Sequence, residues 1–182
     1  MSLRNKLRRF VPMQWQRTTK AEPLGMVLLQ RRPHLFSADE LRRAAERAWH
    51  RSFAGVDAGS KDCVAQSGTA TLMKAGPHLL SFFYYPAPYV ENPKANVNRL
   101  PQAAQREAWL QHSGCIGVDY LNDDVSVQLG YCVLAQLISE MLDGNCTGIY
   151  VPREQALIPN DESLYLELRK FASACESHVN EL

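Results

Sequence analysis

Two reactive side chains that lie close together in the sequence are His112 and Cys115, three positions apart. An imidazole and a thiol at this spacing can ligate a metal or form a nucleophilic Cys–His pair. Zinc requires four ligands, which this pair alone does not supply, so no metal site is predicted. His112 also falls at a predicted helix end, where the helix dipole favours an imidazolium for structural reasons alone. A structural histidine is therefore our interpretation, and a reactive pair is the alternative.

A second group of polar and aromatic residues lies at the predicted ends of three strands. They are Tyr89, Glu91, Asp119, Asn122, Tyr150 and Arg153. If these strands are parallel neighbours, the six residues meet on one rim of the sheet, where open α/β sheets bind ligands. Two carboxylates on such a rim can hold a cation or act as acid and base. The alternative is that Asp123 and Asp124 cap a helix and that Glu91 is a solvated loop charge.

The stretch that positions this rim runs from residue 79 to residue 93. Residues 79–85 are β-prone and rich in aromatic side chains, and the run stops at Pro86-Ala87-Pro88. Such a run predicts a central core strand, and packing explains its aromatic content. Functional interest therefore falls on the exit, residues 86–93.

The core strand is part of a larger predicted sheet. Short β-prone segments joined by glycine-containing turns predict a three-strand antiparallel meander over residues 62–85. Further strands are predicted over residues 26–29, 115–121 and 146–151. Because the later strands alternate with helices, the pattern predicts one mixed sheet of about six strands.

The predicted helices pack against this sheet. Ser37 and Glu40 have the spacing of a capping box, which predicts a helix that continues to about Ser52. Three more helices are predicted, over residues 99–112, over residues 125–142, and after Asn160 or Asp161. The second of these is apolar almost all round and should be the most buried. The element order is β-α-β-β-β-α-β-α-β-α, and the fold class is α+β.

The domain organisation is a basic N-terminal arm, residues 1–23, followed by a single α+β domain over residues 24–182. Apolar residues at helical spacing in the arm alternate with basic ones; they are Leu3, Leu7, Phe10 and Val11. A basic amphipathic segment can contact a membrane surface or nucleic acid. So few apolar residues give little membrane affinity, so we prefer an arm that packs on the domain's own body.

Charge and cysteine usage restrict the location and the partners. The 182-residue chain has a net charge of +1, but residues 1–51 carry +8 and residues 52–182 carry −7. We expect the two parts to pair with each other, because a pI near 7.7 lacks the strong positive field of nucleic-acid binders. The five cysteines are scattered and form no CxxC, which predicts free thiols in a reducing cytoplasm. No membrane span and no secretory h-region are present in the sequence.

Motifs of the common enzyme classes are missing from the sequence. There is no phosphate loop, dinucleotide-binding glycine turn, HExxH or GxSxG, so no cofactor is predicted. The leading hypothesis is a non-enzymatic domain that binds a protein partner or small ligand through the rim; a homodimer is plausible. The first alternative is a small hydrolase that uses the carboxylates or the His112/Cys115 pair. The second alternative is an arm that contacts nucleic acid or membrane.

Several short segments also resemble a known family. They are Pro86-Ala87-Pro88-Tyr89, Trp109 with His112, Val118-Asp119-Tyr120-Leu121, and Thr147-Gly148-Ile149-Tyr150-Val151-Pro152. Together they resemble a bacterial family known as a domain of unknown function, over roughly residues 25–172. The resemblance implies a bacterial cytoplasmic α+β domain and supplies no activity, cofactor or catalytic residue.

Overall fold

The computed structural model describes residues 24–55, 60–122 and 126–174. Within these ranges the chain forms one sheet of seven strands and five α-helices. The strands are β1 Leu24–Gln30, β2 Asp62–Ser67, β3 Ala70–Ala75, β4 His78–Tyr85, β5 Gly114–Tyr120, β6 Cys146–Val151 and β7 Ala156–Pro159. The helices are α1 Ala38–Trp49, α2 Pro93–Asn96, α3 Ala103–Gln111, α4 Val127–Ser139 and α5 Leu164–Ser173, with a 3-10 turn at Val97–Arg99.

The predicted fold class, an α+β domain with helices packed on a single sheet, is confirmed. The sheet has the strand order β2-β3-β4-β5-β1-β6-β7, so it contains one strand more than the six expected. The additional strand, β7, is four residues long and is an edge strand of the sheet; it ends at Pro159, a residue type that is tolerated in edge strands and disfavoured in central ones. All six ladders are antiparallel, whereas the alternation in the second half had suggested parallel pairs.

The antiparallel pairing decides at which end of the sheet, measured along the strand direction, each strand stops. Leu24, at the start of β1, and Leu80, near the start of β4, both pair with Tyr120 at the end of β5. Tyr85, at the end of β4, pairs with Cys115 near the start of β5. β4 therefore leaves the sheet at the opposite end from the one where β5 stops.

The larger hydrophobic core lies on one face of the sheet, which we call the first face. Helices α1 and α4 pack directly on this face, and α5 packs against α4. Ten consecutive residues of α4, from Gly130 to Ser139, are buried, which confirms that it is the most buried helix. A Cβ on Gly130 would collide with the Leu24 side chain, so the glycine lets α4 approach β1 closely.

The second face of the sheet carries a smaller core. Helix α3 and the segment before it pack over β1, β6 and β7. The buried residues of this cluster are Val27, Leu29, Leu100, Trp109, Cys115, Tyr150 and Leu157. This core stops at β1 and β5, and the described ranges place no helix over β3 and β4 on this face.

The helix termini follow the predicted signals in part. The capping box at α1 is confirmed: the Glu40 N–H donates to Ser37 Oγ, and the Ser37 N–H donates to Glu40 Oε2. The helix ends at Trp49, three residues earlier than expected, and His50 follows in the left-handed conformation. Helix α4 is capped by Ser126, whose Oγ accepts from Leu129. The predicted caps at 123 and 124 lie outside the described residues.

Two predictions from composition are tested by the fold. Cys63, Cys115 and Cys146 are free thiols, as expected, but Cys132 is disulfide-bonded, so the prediction of free cysteines is wrong for Cys132. Sequence spacing does not show which thiols the tertiary fold brings together. No helix in the described ranges has the length and apolar character needed to cross a bilayer. The arm, residues 1–23, lies outside the described residues and stays a prediction.

Candidate functional site

The predicted rim at three strand ends is not assembled. The prediction required β4, β5 and β6 to be parallel neighbours, and β4 pairs antiparallel with β5. Asn122 and Arg153 come after β5 and β6, at one end of the strands, whereas Glu91 comes after β4, at the opposite end. The prediction that the six residues share one rim is wrong for this reason.

Two of the six residues nevertheless meet, on the second face. The segment after β4 folds back over the sheet, so the Tyr89 ring lies 5.1 Å from the Tyr150 ring, between centroids. Trp109 completes this cluster, with its ring 6.4 Å from Tyr89 and 5.7 Å from Tyr150. Only 3% of Tyr150 is exposed, so its ring serves mainly to pack helix α3 and the returning segment on the sheet.

The other predicted rim residues have separate surroundings. Asn122 accepts a hydrogen bond from the Leu79 N–H and donates one to the Pro77 carbonyl, so its side chain fixes the start of β4. Arg153 is exposed in the turn between β6 and β7. Glu91 is also exposed and forms no ion pair with another described residue. Asn122 therefore has a structural role.

His112 is held by two backbone groups. The Tyr89 N–H donates to its Nε2 at 3.0 Å, and its Nδ1–H donates to the Trp109 carbonyl. A carbonyl can only accept and an N–H can only donate, so these partners select the neutral imidazole with the proton on Nδ1. Burial lowers the pKa of His112, which favours the same neutral form. His112 thereby ties the segment after β4 to the C-terminus of α3.

The geometry does not favour a nucleophilic pair of His112 and Cys115. Burial raises the pKa of the Cys115 thiol to about 11, so the thiol stays protonated near neutral pH. Its nearest hydrogen-bond acceptor is the Ala87 carbonyl, at 3.9 Å from Sγ. Both nitrogens of the imidazole already form hydrogen bonds, so neither nitrogen is free to accept the proton of the thiol.

A crevice on the first face offers little acid–base chemistry. It lies between the start of α1 and the sheet and is lined by Leu35, Phe36, Leu41, Thr69, Thr71, Phe82, Tyr84 and Ile116. None of these is a carboxylate, an imidazole or a thiol. Among the described residues, no three His, Cys, Asp or Glu side chains come together as a metal ligand set.

A cluster of exposed apolar side chains lies on the second face, over β3 and β4. Four large side chains point outward there, with exposed fractions between 36% and 55%: Leu72, Leu79, Phe83 and Tyr85. Leu72 pairs with Ser81, so Leu79 and Phe83 are its diagonal neighbours, close enough for contact between side chains of this size. We call these four residues the open face. Monomeric proteins rarely leave large contiguous apolar patches in water, and such patches often mark binding sites.

A carboxylate lies beside the open face. Asp119 on β5 pairs with Ser81 on β4 and with Gly25 on β1, so the three residues point to the second face side by side. A Cβ on Gly25 would collide with the Asp119 carboxylate, so the glycine makes the space that this carboxylate occupies. Burial raises the pKa of Asp119, and the carboxylate forms no ion pair with another described residue.

Ser81 adds a second unpaired polar group at this position. Its side chain is 4% exposed, and Oγ has no hydrogen-bond partner in the described part of the chain. Buried hydroxyl groups in native proteins nearly always have a partner, so an unpaired one marks a place where a donor or acceptor is missing. The open face therefore has apolar side chains around a polar centre that can accept hydrogen bonds and positive charge.

Of the residues on this surface, only Asp119 is a candidate from the sequence. The signal for the remainder was present in residues 79–85, where apolar side chains occupy both alternating sets of positions. A strand that is apolar on both faces is typical of a sheet covered on both sides. The sequence does not show that the described helices cover only one side of β4.

The chain was compared with protein-family models, with curated proteins and with solved structures, and it matches none of them. The predicted resemblance to a bacterial domain family therefore stays a prediction.

Proposed function

We propose that this chain is a non-enzymatic protein-binding domain, that the open face is its binding surface, and that its partner is a basic amphipathic protein segment. The observation that carries the proposal is the set of four large apolar side chains, exposed on the same face as a half-buried, unpaired carboxylate. The proposal replaces the rim at the strand ends with a surface on the face of the sheet.

The apolar side chains favour a protein partner over a small molecule. Small-molecule sites are concave and enclose most of their ligand, whereas the open face is one side of a sheet. Complete burial of a large apolar side chain contributes about 1.5–3 kcal/mol, so covering Leu72, Leu79 and Phe83 favours association substantially. An amphipathic segment presents the matching apolar stripe.

The charge at the centre of the surface favours a basic partner. Asp119 needs positive charge or hydrogen-bond donors when the face is covered, because burying an unpaired carboxylate is costly. Lysine or arginine supplies both. In a two-fold dimer centred on this face, the two Asp119 carboxylates would approach each other, so a second copy is the less favourable occupant.

The first test uses two synthetic peptides of 18 residues with leucine at helical spacing. One carries arginine on its polar face and the other carries glutamate. We expect the arginine peptide to bind the full chain more tightly, measured by calorimetry. Phe83→Ser should weaken this binding at least tenfold, because a central apolar contact is lost. Asp119→Asn should weaken it about fivefold through loss of the charge.

The matched control is Leu166→Ser, because Leu166 is also an exposed apolar residue but lies on helix α5, away from the open face. It should leave the affinity unchanged. Equal binding of both peptides, or binding that does not respond to Phe83→Ser, would overturn the proposal. A dimer in sedimentation that Phe83→Ser dissociates would instead assign the face to a second copy.

A further inference from the structure

We propose that the chain's own residues 1–23 occupy the open face and compete there with an external partner. This inference rests on the proposed function, because it assigns regulation to the same surface. It commits to one occupant, a named segment of this chain, and it is supported by chain connectivity, by charge and by the polar centre of the face.

The segment joins the sheet at β1, which is separated from the open face by β5 alone. Residue 23 joins directly to Leu24, which starts β1 and pairs with Tyr120 at the end of β5. The next residue, Gly25, lies beside Asp119 on the second face. Adjacent strands are about 4.8 Å apart, so β3 lies roughly 15 Å from β1. An extended chain covers this distance in about five residues, so most of residues 1–23 is available to cover the face.

The composition of the segment matches the partner chemistry derived above. Residues 1–23 contain six Lys or Arg and one Glu, a net charge of +5, whereas residues 24–182 contain 14 Lys or Arg and 18 Asp or Glu, a net charge of −4. The segment also contains apolar residues at helical spacing, together with a tryptophan; they are Leu3, Leu7, Phe10, Val11 and Trp15. It is thus itself a basic amphipathic segment.

The polar centre of the face provides acceptors for the basic side chains. Asp119 is half-buried and unpaired among the described residues, and Ser81 Oγ lacks a partner. Lys74, on β3, points to the same face and is exposed at its border beside Leu79, so the face is not uniformly acidic. An arginine that enters near Gly25 meets the carboxylate before it reaches Lys74, because β5 lies between β1 and β4.

Covalent attachment makes the segment an effective competitor. A tethered segment has an effective concentration in the millimolar range for short flexible connections, so even weak contacts keep it bound. An external partner must displace it. The apparent affinity for that partner equals the intrinsic affinity multiplied by the fraction of molecules in which the face is free.

The first experiment uses Trp15 as a reporter in the full chain. The other two tryptophans, Trp49 and Trp109, are largely or fully buried, and subtracting the fluorescence of a Trp15→Phe variant isolates the signal of Trp15. Acrylamide should quench Trp15 at least threefold less efficiently than it quenches a synthetic peptide of residues 1–20. Phe83→Ser should raise the quenching of Trp15 toward the value of the peptide. The Trp15 signal of this variant is isolated in the same way, by subtracting the fluorescence of Phe83→Ser combined with Trp15→Phe. Leu166→Ser is the control and should leave it unchanged.

Quenching of Trp15 equal to that of the peptide in the unmodified chain would overturn the inference. Protection of Trp15 that persists in both Phe83→Ser and Asp119→Asn would also overturn it, because the segment would then contact another surface. Phe83 and Asp119 are not core residues, so these variants should fold, which circular dichroism can verify.

The second experiment separates this inference from the proposed function. Leu7→Ser combined with Phe10→Ser should raise the affinity of the full chain for the arginine peptide at least tenfold. If this variant and the unmodified chain bind the peptide equally, and Phe83→Ser weakens both, the open face is a binding surface that the segment does not control. If neither binds, the proposed function itself is overturned.

Discussion

Replacing Trp109 with alanine should lower the free energy of unfolding by about 3–5 kcal/mol. The side chain is completely buried in the second core, and its ring contacts the rings of Tyr150 and His112, at centroid distances of 5.7 and 5.2 Å. Its Nε1–H also donates to the Pro93 carbonyl at 3.2 Å. The substitution leaves a large cavity between α3 and the sheet and removes the contact that holds the segment before α3.

Urea denaturation monitored by circular dichroism measures this effect. The adjacent residue on the same helix, Leu110, is 46% exposed and provides the matched control, because Leu110→Ala removes little buried area. It should change the free energy of unfolding by less than about 0.5 kcal/mol. Equal effects of the two substitutions would show that α3 does not pack on the second face as described.

Replacing His112 with alanine should lower the free energy of unfolding by about 1–3 kcal/mol near neutral pH. The substitution removes the acceptor of the Tyr89 N–H and the donor to the Trp109 carbonyl; the first of these bonds is partly buried and the second is buried. The loss therefore includes the cost of leaving these groups unpaired. Faster hydrogen exchange at the Tyr89 amide would locate the effect at the segment after β4.

The same residue makes the stability depend on pH. Burial lowers the pKa of His112 in the folded protein below the usual value of 6.5, so the unfolded chain binds more protons just below pH 6.5. The stabilising contribution is therefore complete above pH 6.5 and is lost as the pH falls toward the folded pKa. The pKa of His78 is lowered by burial as well, so part of the pH dependence should remain when His112 is replaced.

Urea midpoints between pH 7.5 and pH 5 test this sign. The slope of stability against pH should be smaller in His112→Gln, which cannot titrate, than in the unmodified chain. His50→Gln is the control, because His50 is exposed after helix α1, and its slope should match that of the unmodified chain. A slope in His112→Gln equal to that of the unmodified chain would contradict the assigned neutral tautomer.

The elements that sequence analysis predicted well are those with local signals. The capping box of Ser37 and Glu40 defines the start of α1, because both bonds form within four consecutive residues. The meander over residues 62–85 is confirmed as β2, β3 and β4, because glycine turns and short β-prone runs specify hairpins locally. The edge strand β7 was missed because four residues that end in proline carry little local signal.

The candidate site was predicted poorly because it depends on pairing between distant strands. Alternating helices and strands are compatible with both parallel and antiparallel neighbours. Because β4 and β5 pair antiparallel, Glu91 and Asn122 lie at opposite ends of the strands. Tyr89 and Tyr150 meet only because the segment after β4 folds back over the sheet. The structural role of His112, in contrast, agrees with the interpretation from sequence, although its partners are backbone groups of Tyr89 and Trp109 rather than a helix dipole.

The sequence by itself determined the α+β class, the capped start of α1, the buried character of α4 and the apolar pattern of residues 79–85. These properties depend on side chains that are close in the chain, so local periodicity and capping specify them. Only the tertiary structure decided which outward side chains of β4 remain uncovered. Coverage depends on where α1, α3, α4 and α5 pack, and those contacts join residues far apart in the chain. The aromatic run is therefore a core strand on the first face and, through Leu79, Phe83 and Tyr85, an open surface on the second.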